Sequence, residues 1–401
     1  MRDETMNFYD DLETRSPDAR EAAQTAALIV LLADIKAPDD WQETAAGITS
    51  LGDLTRLPVL RKSDLSDWQK ARPPFGGIRV SNVAHIFQSP GPIYEPGGIT
   101  HDWWRMGRFL HACGIGKGDI VQNCFSYHLT PAGMIFESGA RAVGATVLPA
   151  GTGQTELQVR AALDISVTAY AGTPDYLKII LDKADEMGVG LGITKAAVGG
   201  GALFPSLRAE YADRGIACLQ SYATADLGNI AYESAAMEGM IVDEQVIVEI
   251  VTPGTGNPVA PGEVGEVVVT TLNPDYPLIR FATGDLSAMM DGQSPCGRTN
   301  RRIKGWMGRA DQTTKIKGMF VRPEQVAALV AKHDEILKAR VIASREGEMD
   351  VMKVMLEAPF EVAGYAASVV DILKLKGAVE VVAPGSLPKD GLVIEDQRSY
   401  D

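Results

Sequence analysis

The chain has 401 residues, of which 45% are hydrophobic and 22% charged, and its formal net charge is -14 at pH 7. This length exceeds one ordinary core and predicts two or three packed units, while the composition excludes a disordered chain. The acidic balance argues against a nucleic-acid partner, because polyanion binding needs clustered Lys and Arg to displace counterions.

The cysteines and the N-terminus indicate a cytoplasmic protein. Four cysteines are scattered without a CxxC pair, which disfavours a zinc site or a redox motif. The stretch "MRDETMNFYDDLE" is acidic where a secretory signal needs basic residues, and the apolar run "AALIVLLADI" is too short to span a bilayer. We therefore predict no membrane segment and a buried helix at that run.

Three segments with different patterns make up a predicted N-terminal body, residues 1–309. Residues 1–80 predict helices and loops that form an entry segment. Residues 81–238 alternate amphipathic helical stretches with short apolar runs, which predicts α/β units around a mostly parallel sheet. Residues 239–309 alternate strand-like runs with Pro/Gly turns and predict a small antiparallel, barrel-like β unit.

The last segment, residues 310–401, predicts a small mobile lid domain of the α+β type. The strand-like run "TKIKGMFV", the helical run "PEQVAALVAKH" and the runs that follow them have the order β-α-β-β-α-β. The predicted fold class is therefore α/β, with a large body followed by this lid.

Two glycine-rich runs look like nucleotide motifs but have structural explanations. The run "GIGKGD" precedes a predicted strand, whereas a dinucleotide fingerprint must follow a strand and open a helix, so we predict a surface turn. The run "GTGQTELQ" lacks the Gly-Lys-Ser/Thr of a phosphate loop, and Thr155 with Gln158 predicts a capping box at a helix start.

Polar residues near the ends of two predicted strands are candidates for chemistry. In "SYATADLGNIAYE", Tyr222 and Asp226 follow a strand, where α/β sheets form ligand crevices. The ring could stack on a purine and the carboxylate could hold Mg2+ through oxygen, although a Tyr and an Asp in a loop more often pack and cap a turn. In "RFATGDLS", Asp285 could accept hydrogen bonds from both hydroxyls of a ribose, and an ordinary Gly-Asp turn is an equal alternative.

Two more segments contain candidate ligand-binding residues, one through glycine backbone and the other through an arginine. The run "AAVGGGALFP" could lay a flat base against Gly199, Gly200, Gly201 and Ala202, or it could be a flexible turn. The run "KGWMGRADQTTKIKG" places Arg309 between the predicted body and lid, and Gly318 where backbone could approach a ligand closely.

In this order and spacing, the segments resemble the adenylate-forming superfamily, specifically the phenylacetate-CoA ligase family of acyl- and aryl-CoA synthetases. The resemblance runs from "LTRLPVLRKSDL" to the end of the chain and is strongest from Tyr222 to Pro323. It implies a ligase that uses ATP, Mg2+ and coenzyme A on a small carboxylic acid. It also suggests a homodimer, since relatives often pair.

The resemblance implies roles for the nucleotide-site residues. Tyr222, followed by Ala223 and Thr224, would stack on adenine. Asp226 would hold Mg2+ and take part in catalysis, and Asp285 of the intact "TGDL" would bind the ribose.

The same resemblance implies roles at the hinge and the acid site. Arg309 of "GRADQ" would contact ribose or phosphate, Asp311 would be the pivot of the lid, and Gly318 would line the coenzyme A tunnel. The acid pocket would be lined by Tyr127, His128 and Phe136, although ordinary packing explains a lone histidine at least as well.

One departure from the family pattern is the phosphate loop. Relatives carry a Ser/Thr/Gly-rich loop ending in Lys-Pro, whereas this chain has "QSPGPIYEP", whose prolines remove N-H donors and whose Glu95 takes the place of the lysine. Two unit charges about 4 Å apart interact by roughly 4 kcal/mol at an effective dielectric near 20. Either Glu95 points away, or it recruits a metal, or ATP binds weakly, and Gln88, Ser89 and Gly91 stay as candidate polar contacts.

Two other departures lie nearer the C-terminus. Relatives have a catalytic lysine where "GSLPKDGLVIEDQR" lacks several residues, and Lys389 is the lysine nearby. Ala282 stands where relatives commonly have a second arginine before "TGD".

These observations favour a two-step ligase that forms an acyl-adenylate from an aromatic acid and then the coenzyme A thioester. Two alternatives stay open. The acceptor could be an amine, a carrier-protein thiol or another nucleophile, or the chain could be a nucleotide- or acyl-CoA-binding homologue whose adenylation step has lapsed.

Overall fold

The structure, a computed structural model, describes residues 8–33, 44–89, 92–201, 203–307, 310, 314–317, 319–346, 349–360, 362–388, 390 and 392–398. Its helices are α1 (Pro17–Ala33), α2 (Lys62–Ala71), α3 (Gly107–Ala112), α4 (Ala132–Ala142), α5 (Thr155–Asp164), α6 (Pro174–Glu186), α7 (Pro205–Asp213), α8 (Pro323–Ala331) and α9 (Tyr365–Leu373). Short 3-10 helices cover Asp11–Thr14 and Leu51–Arg56.

The strands run from the entry segment to the end of the described chain. They are β1 (Val83–Ser89), β2 (Ile93–Gly98), β3 (Ile120–Asn123), β4 (Thr146–Leu148), β5 (Ala169–Gly172), β6 (Lys195–Val198), β7 (Ala217–Thr224), β8 (Gly228–Glu233), β9 (Met240–Val242), β10 (Val246–Val251), β11 (Val264–Thr271), β12 (Phe281–Met290), β13 (Arg302–Ile303), β14 (Thr314–Ile316), β15 (Met319–Val321), β16 (Lys338–Glu346), β17 (Met349–Glu357), β18 (Ala378–Val382) and β19 (Ile394–Asp396).

Among the described residues, the largest sheet has eleven strands in the order β10-β11-β12-β13-β9-β8-β7-β6-β5-β3-β4. Strands β3 to β7 pair in parallel, with helices α4 to α7 as their connections. Strands β8, β9 and β13 pair antiparallel. The predicted α/β fold class, with a mostly parallel part followed by antiparallel strands, is therefore confirmed.

The chain divides into two compact units. The first comprises Met1–Val248, Val269–Phe281 and Met290–Gly305, and the second comprises Glu249–Val268, Ala282–Met289 and Trp306–Asp401. Strands β10, β11 and β12 each have residues in both units.

Helix α1 lies in the first unit and buries one face rather than its whole surface. Leu28, Leu31 and Leu32 pack in a core cluster with Leu54, whereas Val30 is 71% exposed. The predicted helix is present at this run, but it is buried on one side only, although "AALIVLLA" is apolar all round. No helix of the described ranges is long and apolar enough to cross a bilayer.

The second unit contains a four-stranded sheet in the order β18-β17-β16-β19, with its own core. Two features differ from the predicted β-α-β-β-α-β order. The run "TKIKGMFV" is a separate hairpin of β14 and β15, and β19 adds a strand parallel to β16. Strand β19 escapes prediction because its three residues are too few for a period-2 pattern.

The two glycine-rich runs, "GIGKGD" and "GTGQTELQ", lie before β3 and at the start of α5 as predicted. The structural explanation that was predicted is correct for the first run only. Residues 114–119 form turns before β3. The predicted capping box is wrong, because Gln154 is the N-cap of α5 and makes no side-chain cap bond. The buried Gln158 amide instead donates to the carbonyls of Gly151 (2.9 Å) and Gly153 (2.8 Å) in the preceding loop.

Candidate active site

The glycine turn follows directly on β6, at the carboxyl edge of the parallel strands. A Cβ on Gly199 would lie 3.0 Å from Ser221 Oγ and 3.5 Å from Phe136 Cζ. Gly200 has a φ of +69°, which residues with a side chain rarely adopt. The sequence therefore needs glycine here to bring backbone close to β7 and to the Phe136 ring.

The neighbouring strand β7 carries the predicted adenine platform. Tyr222 is 8% exposed and pairs with Ala231 of β8, and the register shifts between Tyr222 and Ala223. Thr224 ends the strand and its Oγ1 accepts from the Leu227 N-H (3.2 Å), which closes the turn that contains Asp226.

Asp226 forms an ion pair that the sequence analysis missed. Lys62, the first residue of α2, places Nζ 3.0 Å from Asp226 Oδ2. The Asp226 side chain is 2% exposed and the Lys62 side chain 42% exposed, so the ammonium reaches solvent from one side. The missed signal is a lysine inside "LTRLPVLRKSDL", the segment where the family resemblance begins.

Residues 88–89 and 93–96 of the "QSPGPIYEP" stretch lie on two paired antiparallel strands, the β1–β2 hairpin, rather than in an open loop. Strands β1 and β2 pair with Gln88 opposite Tyr94 and with Phe87 opposite Glu95. The Gln88 N-H donates to the Leu129 carbonyl (2.8 Å). The hairpin is held to α2 by Gln69, whose amide bonds both the N-H and the carbonyl of Tyr94 (2.8 and 2.7 Å).

Glu95 lies inside the first unit and is 1% exposed. The Ser89 hydroxyl donates to its Oε1, and its Oε2 is buried with no hydrogen-bond partner. Burial and, after it, the charge of Asp226 raise the pKa of Glu95, while Ser89 and Lys62 act in the opposite direction. Glu95 therefore does not point away from the candidate site.

Two more buried oxygens lack a hydrogen-bond partner, namely Asp226 Oδ1 and the Tyr276 hydroxyl. Burial first, then the charges of Asp226 and Glu95, raise the pKa of Tyr276. Lys62, Ser89, Glu95, Asp226 and Tyr276 thus form one cluster, which we call the carboxylate cluster.

The residues predicted for the acid pocket do not share one environment. Phe136 is 5% exposed and stacks on Phe125, with ring centroids 4.2 Å apart. The Tyr127 hydroxyl accepts from Asn123 Nδ2 (2.8 Å), and burial followed by the charge of Glu137 raises its pKa. His128 is exposed in the loop before α4.

Asp285 lies in the second unit, on β12, and is 8% exposed. Its Oδ1 accepts from Trp306 Nε1 (3.1 Å), and its N-H donates to Thr283 Oγ1 (3.1 Å). The Trp306 bond orients the carboxylate. Residues 283–286 lie within β12, so the predicted Gly-Asp turn is wrong. Six predicted site residues lie outside the described residues: Gly91, Ala202, Arg309, Asp311, Gly318 and Lys389.

Known proteins of similar sequence are ligases. No family model matches the chain. A phenylacetate-coenzyme A ligase from Aromatoleum evansii is 30% identical over 80% of this chain and 74% of its own length. The chain belongs to the phenylacetate-CoA ligase family. A second member, from Thermus thermophilus, is 29% identical over 88% of this chain and 85% of its own length.

Solved structures agree on the family's fold. A crystal structure of 2-hydroxyisobutyryl-CoA ligase, an open conformation in complex with 2-HIB-AMP and CoA, has a TM-score of 0.70 and 23% identity over 94% of this chain and 91% of that chain. Another, in the postadenylation state with R3-HIB-AMP, has a TM-score of 0.71 over 99% and 94%. The predicted membership of the phenylacetate-CoA ligase family is confirmed.

Proposed function

We propose that the protein is an ATP-dependent ligase that joins an aromatic carboxylic acid to coenzyme A. The observation that carries this proposal is the 30% identity, over 80% of the chain, with a relative named phenylacetate-coenzyme A ligase. The fold shared with ligases solved in complex with an acyl-AMP and coenzyme A supports it.

In the first step, a carboxylate oxygen of the acid attacks the α-phosphorus of ATP and the bond to pyrophosphate breaks. Lys62 would donate to the phosphate oxygens, since its ammonium is half exposed beside the turn that follows Tyr222. Asp285 would accept from both ribose hydroxyls, and Tyr222 would stack on the adenine. Positioning and fixed charge supply most of such catalysis.

Mg2+ fits Asp226, because the unpartnered Oδ1 is a buried carboxylate oxygen, the kind of ligand that Mg2+ prefers. Within the described ranges, no group of three or more His, Cys, Asp or Glu side chains could hold a metal by itself. That agrees with Mg2+, which usually takes one or two carboxylates together with substrate phosphates. When bound, the ion would neutralise charge on the phosphates.

In the second step, the thiol of coenzyme A attacks the carbonyl carbon of the adenylate, loses its proton, and AMP leaves. On the family resemblance, we assign Asp311 to the pivot of the lid and Gly318 to the coenzyme A tunnel. The same resemblance assigns Arg309 to the ribose or phosphate and Lys389 to catalysis of the adenylation step. A homodimer and a cytoplasmic location stay predictions.

Pyrophosphate exchange, screened over a panel of acids that includes phenylacetate, tests the first step. We expect acid-dependent exchange in the wild type, and at least about a tenfold rise in the KM for ATP in Asp285→Asn, because losing one charge-assisted hydrogen bond costs roughly 1.5–3 kcal/mol. The exposed Asp291→Asn is the matched control and should be unchanged.

A product assay with and without coenzyme A separates the acceptors. Thioester formation that requires coenzyme A supports the proposal. Exchange without any thioester would assign a different acceptor, and nucleotide binding without exchange would identify a homologue whose adenylation has lapsed.

A further inference from the structure

The two buried carboxyl groups of the carboxylate cluster share an unusual arrangement. Each has one oxygen with a partner and one without. Glu95 Oε1 accepts from the Ser89 hydroxyl and Asp226 Oδ2 contacts Lys62 Nζ at 3.0 Å. Glu95 Oε2 and Asp226 Oδ1 are both buried and have no hydrogen-bond partner.

Such atoms are costly in a folded protein. A buried acceptor without a partner destabilises the fold, more so when it is charged, and native structures pair nearly all such groups unless an ion or water completes them. The Tyr276 hydroxyl makes a third buried oxygen without a partner. The charges of Asp226 and Glu95 both act on Tyr276, and an ion bound near the three oxygens would supply the partners that they lack.

The charge balance says which kind of ligand this is. When Glu95 and Asp226 are both ionised, two negative charges face the positive charge of Lys62, and a bound cation would offset the excess. These groups interact electrostatically, because the charge of Asp226 raises the pKa of Glu95 and the charges of both carboxylates raise the pKa of Tyr276. They come from four elements: the β1–β2 hairpin, the turn after β7, the loop before β12 and the first turn of α2. A cation is therefore favoured over an anion or a neutral molecule.

We propose that Glu95 is the second protein ligand of the divalent cation held by Asp226, each carboxylate contributing its unpartnered oxygen. This inference rests on the proposed function, since the other ligands would be phosphate oxygens of ATP and water. The half-exposed Lys62 side chain marks the side from which the nucleotide and the ion enter.

The consequence is a different source of positive charge at the phosphate loop. Relatives place a lysine where this chain has Glu95, whereas here the cation supplies that charge. Nucleotide binding by this chain therefore depends on the divalent cation more strongly than binding by a chain with the lysine.

Direct binding of Mn2+ in the presence of a non-hydrolysable ATP analogue tests the inference. Electron paramagnetic resonance reports the free Mn2+ concentration without any turnover. We expect Glu95→Gln to weaken Mn2+ binding at least about tenfold, because loss of even an outer-shell partner of a metal ligand costs roughly 10–100-fold. Glutamine keeps an acceptor for Ser89, and a melting curve checks that the variant folds.

Two further variants complete the design. Glu95→Lys should bind the analogue with less dependence on the ion than the wild type. Glu156→Gln removes a carboxylate that is 60% exposed on α5 and should leave Mn2+ binding unchanged.

The outcomes separate the inference from the proposed function. If Asp226→Asn weakens Mn2+ binding and Glu95→Gln does not, the inference is overturned and the ligase proposal stands. If the wild type neither binds the analogue nor exchanges pyrophosphate, the proposed function fails and the inference falls with it.

Discussion

At the scale of single residues, Glu95 shows how burial changes the meaning of a substitution. Where relatives have a lysine, this chain has a glutamate. If the glutamate carboxylate faced the triphosphate of ATP in a medium of moderate dielectric, the two negative groups would repel each other by several kcal/mol. In the fold, however, Glu95 is 1% exposed beside Asp226. A carboxyl group in that setting is either protonated or bound to a cation.

Glu95→Gln should therefore change how stability depends on pH in the absence of metal and nucleotide. Burial and Asp226 raise the pKa of Glu95 from 4.5 to about 8. Between these values the folded chain holds a proton that the unfolded chain has released, so the wild-type free energy of unfolding falls as pH rises. Glutamine carries no such proton.

We expect the stability of Glu95→Gln relative to the wild type to increase from about pH 5 to about pH 8. The gain should be at least about 1 kcal/mol, since one pKa unit is equivalent to about 1.4 kcal/mol. Urea unfolding in EDTA at several pH values measures it. A difference that stays constant with pH would contradict the raised pKa.

Lys62 is the second residue whose role depends on its surroundings. Lys62→Met should raise the KM for ATP about tenfold or more, because it removes the ammonium that we assign to the phosphates. Tenfold corresponds to about 1.4 kcal/mol, a fraction of the full Coulomb energy that suits a side chain 42% exposed to solvent.

Two controls separate nucleotide binding from stability in that experiment. Lys70→Met removes a lysine of the same helix that is 70% exposed and should leave the KM for ATP unchanged. The pair Lys62→Met with Asp226→Asn should recover stability, since the Asp226 carboxylate that would lose Lys62 is also removed, but not ATP affinity. Recovery of both would assign Lys62 a structural role alone.

At the scale of elements, helix α2 organises the candidate site from outside the sheet. Its first residue is Lys62 and its last turn carries Gln69, which is 5% exposed and bonds the backbone of β2 as a neighbouring strand would. Helix α2 thus positions both the Lys62 ammonium and the hairpin that carries Glu95.

Gln69→Ala should weaken the hairpin. It leaves the Tyr94 N-H and carbonyl without their partner, at a cost of about 1–3 kcal/mol. Hydrogen exchange of the β1–β2 amides should accelerate, and urea unfolding should show the loss. The exposed Gln293→Ala is the control, and equal exchange in the two variants would exclude this role of α2.

At the scale of the whole molecule, each of the two units has a core of its own. In the second unit, Arg398 joins distant parts of the chain. Its guanidinium donates to both carboxylate oxygens of Asp396 (2.6 and 2.8 Å), to Asp350 (2.8 Å) and to Thr314 Oγ1 (3.1 Å). The β14–β15 hairpin is thereby tied to β17 and to the end of β19.

Arg398→Met should lower the stability of the second unit by about 2 kcal/mol or more, because it removes the guanidinium that donates hydrogen bonds to Asp396 and Asp350. Unfolding of a chain with two cores need not be two-state, so hydrogen exchange by segment is the measurement. Exchange should accelerate in β14–β17 and β19 and not in β5–β7. Arg345→Met, whose guanidinium is 43% exposed and 3.8 Å from Asp350, should have a smaller effect.

The amino-acid sequence by itself determined the order of most helices and strands, because side-chain periods of about 3.6 and 2 are local properties. It also determined the family, since "YATAD" and "TGDL" keep their order and spacing. Local pattern was insufficient where the element was short, as in β19. It was also insufficient where a buried side chain found a distant partner, as Gln158 did with Gln122, 36 positions away (2.9 Å).

Only the tertiary structure decided what surrounds Asp226 and Glu95. Lys62 and Asp226 are 164 positions apart, and no local pattern states which lysine will meet which carboxylate. The hairpin register and the packing of α2 placed Glu95 inside, and burial then decided its proton affinity. Contacts between distant segments exist only after the chain has folded, so the oxygens left without partners could be recognised only there.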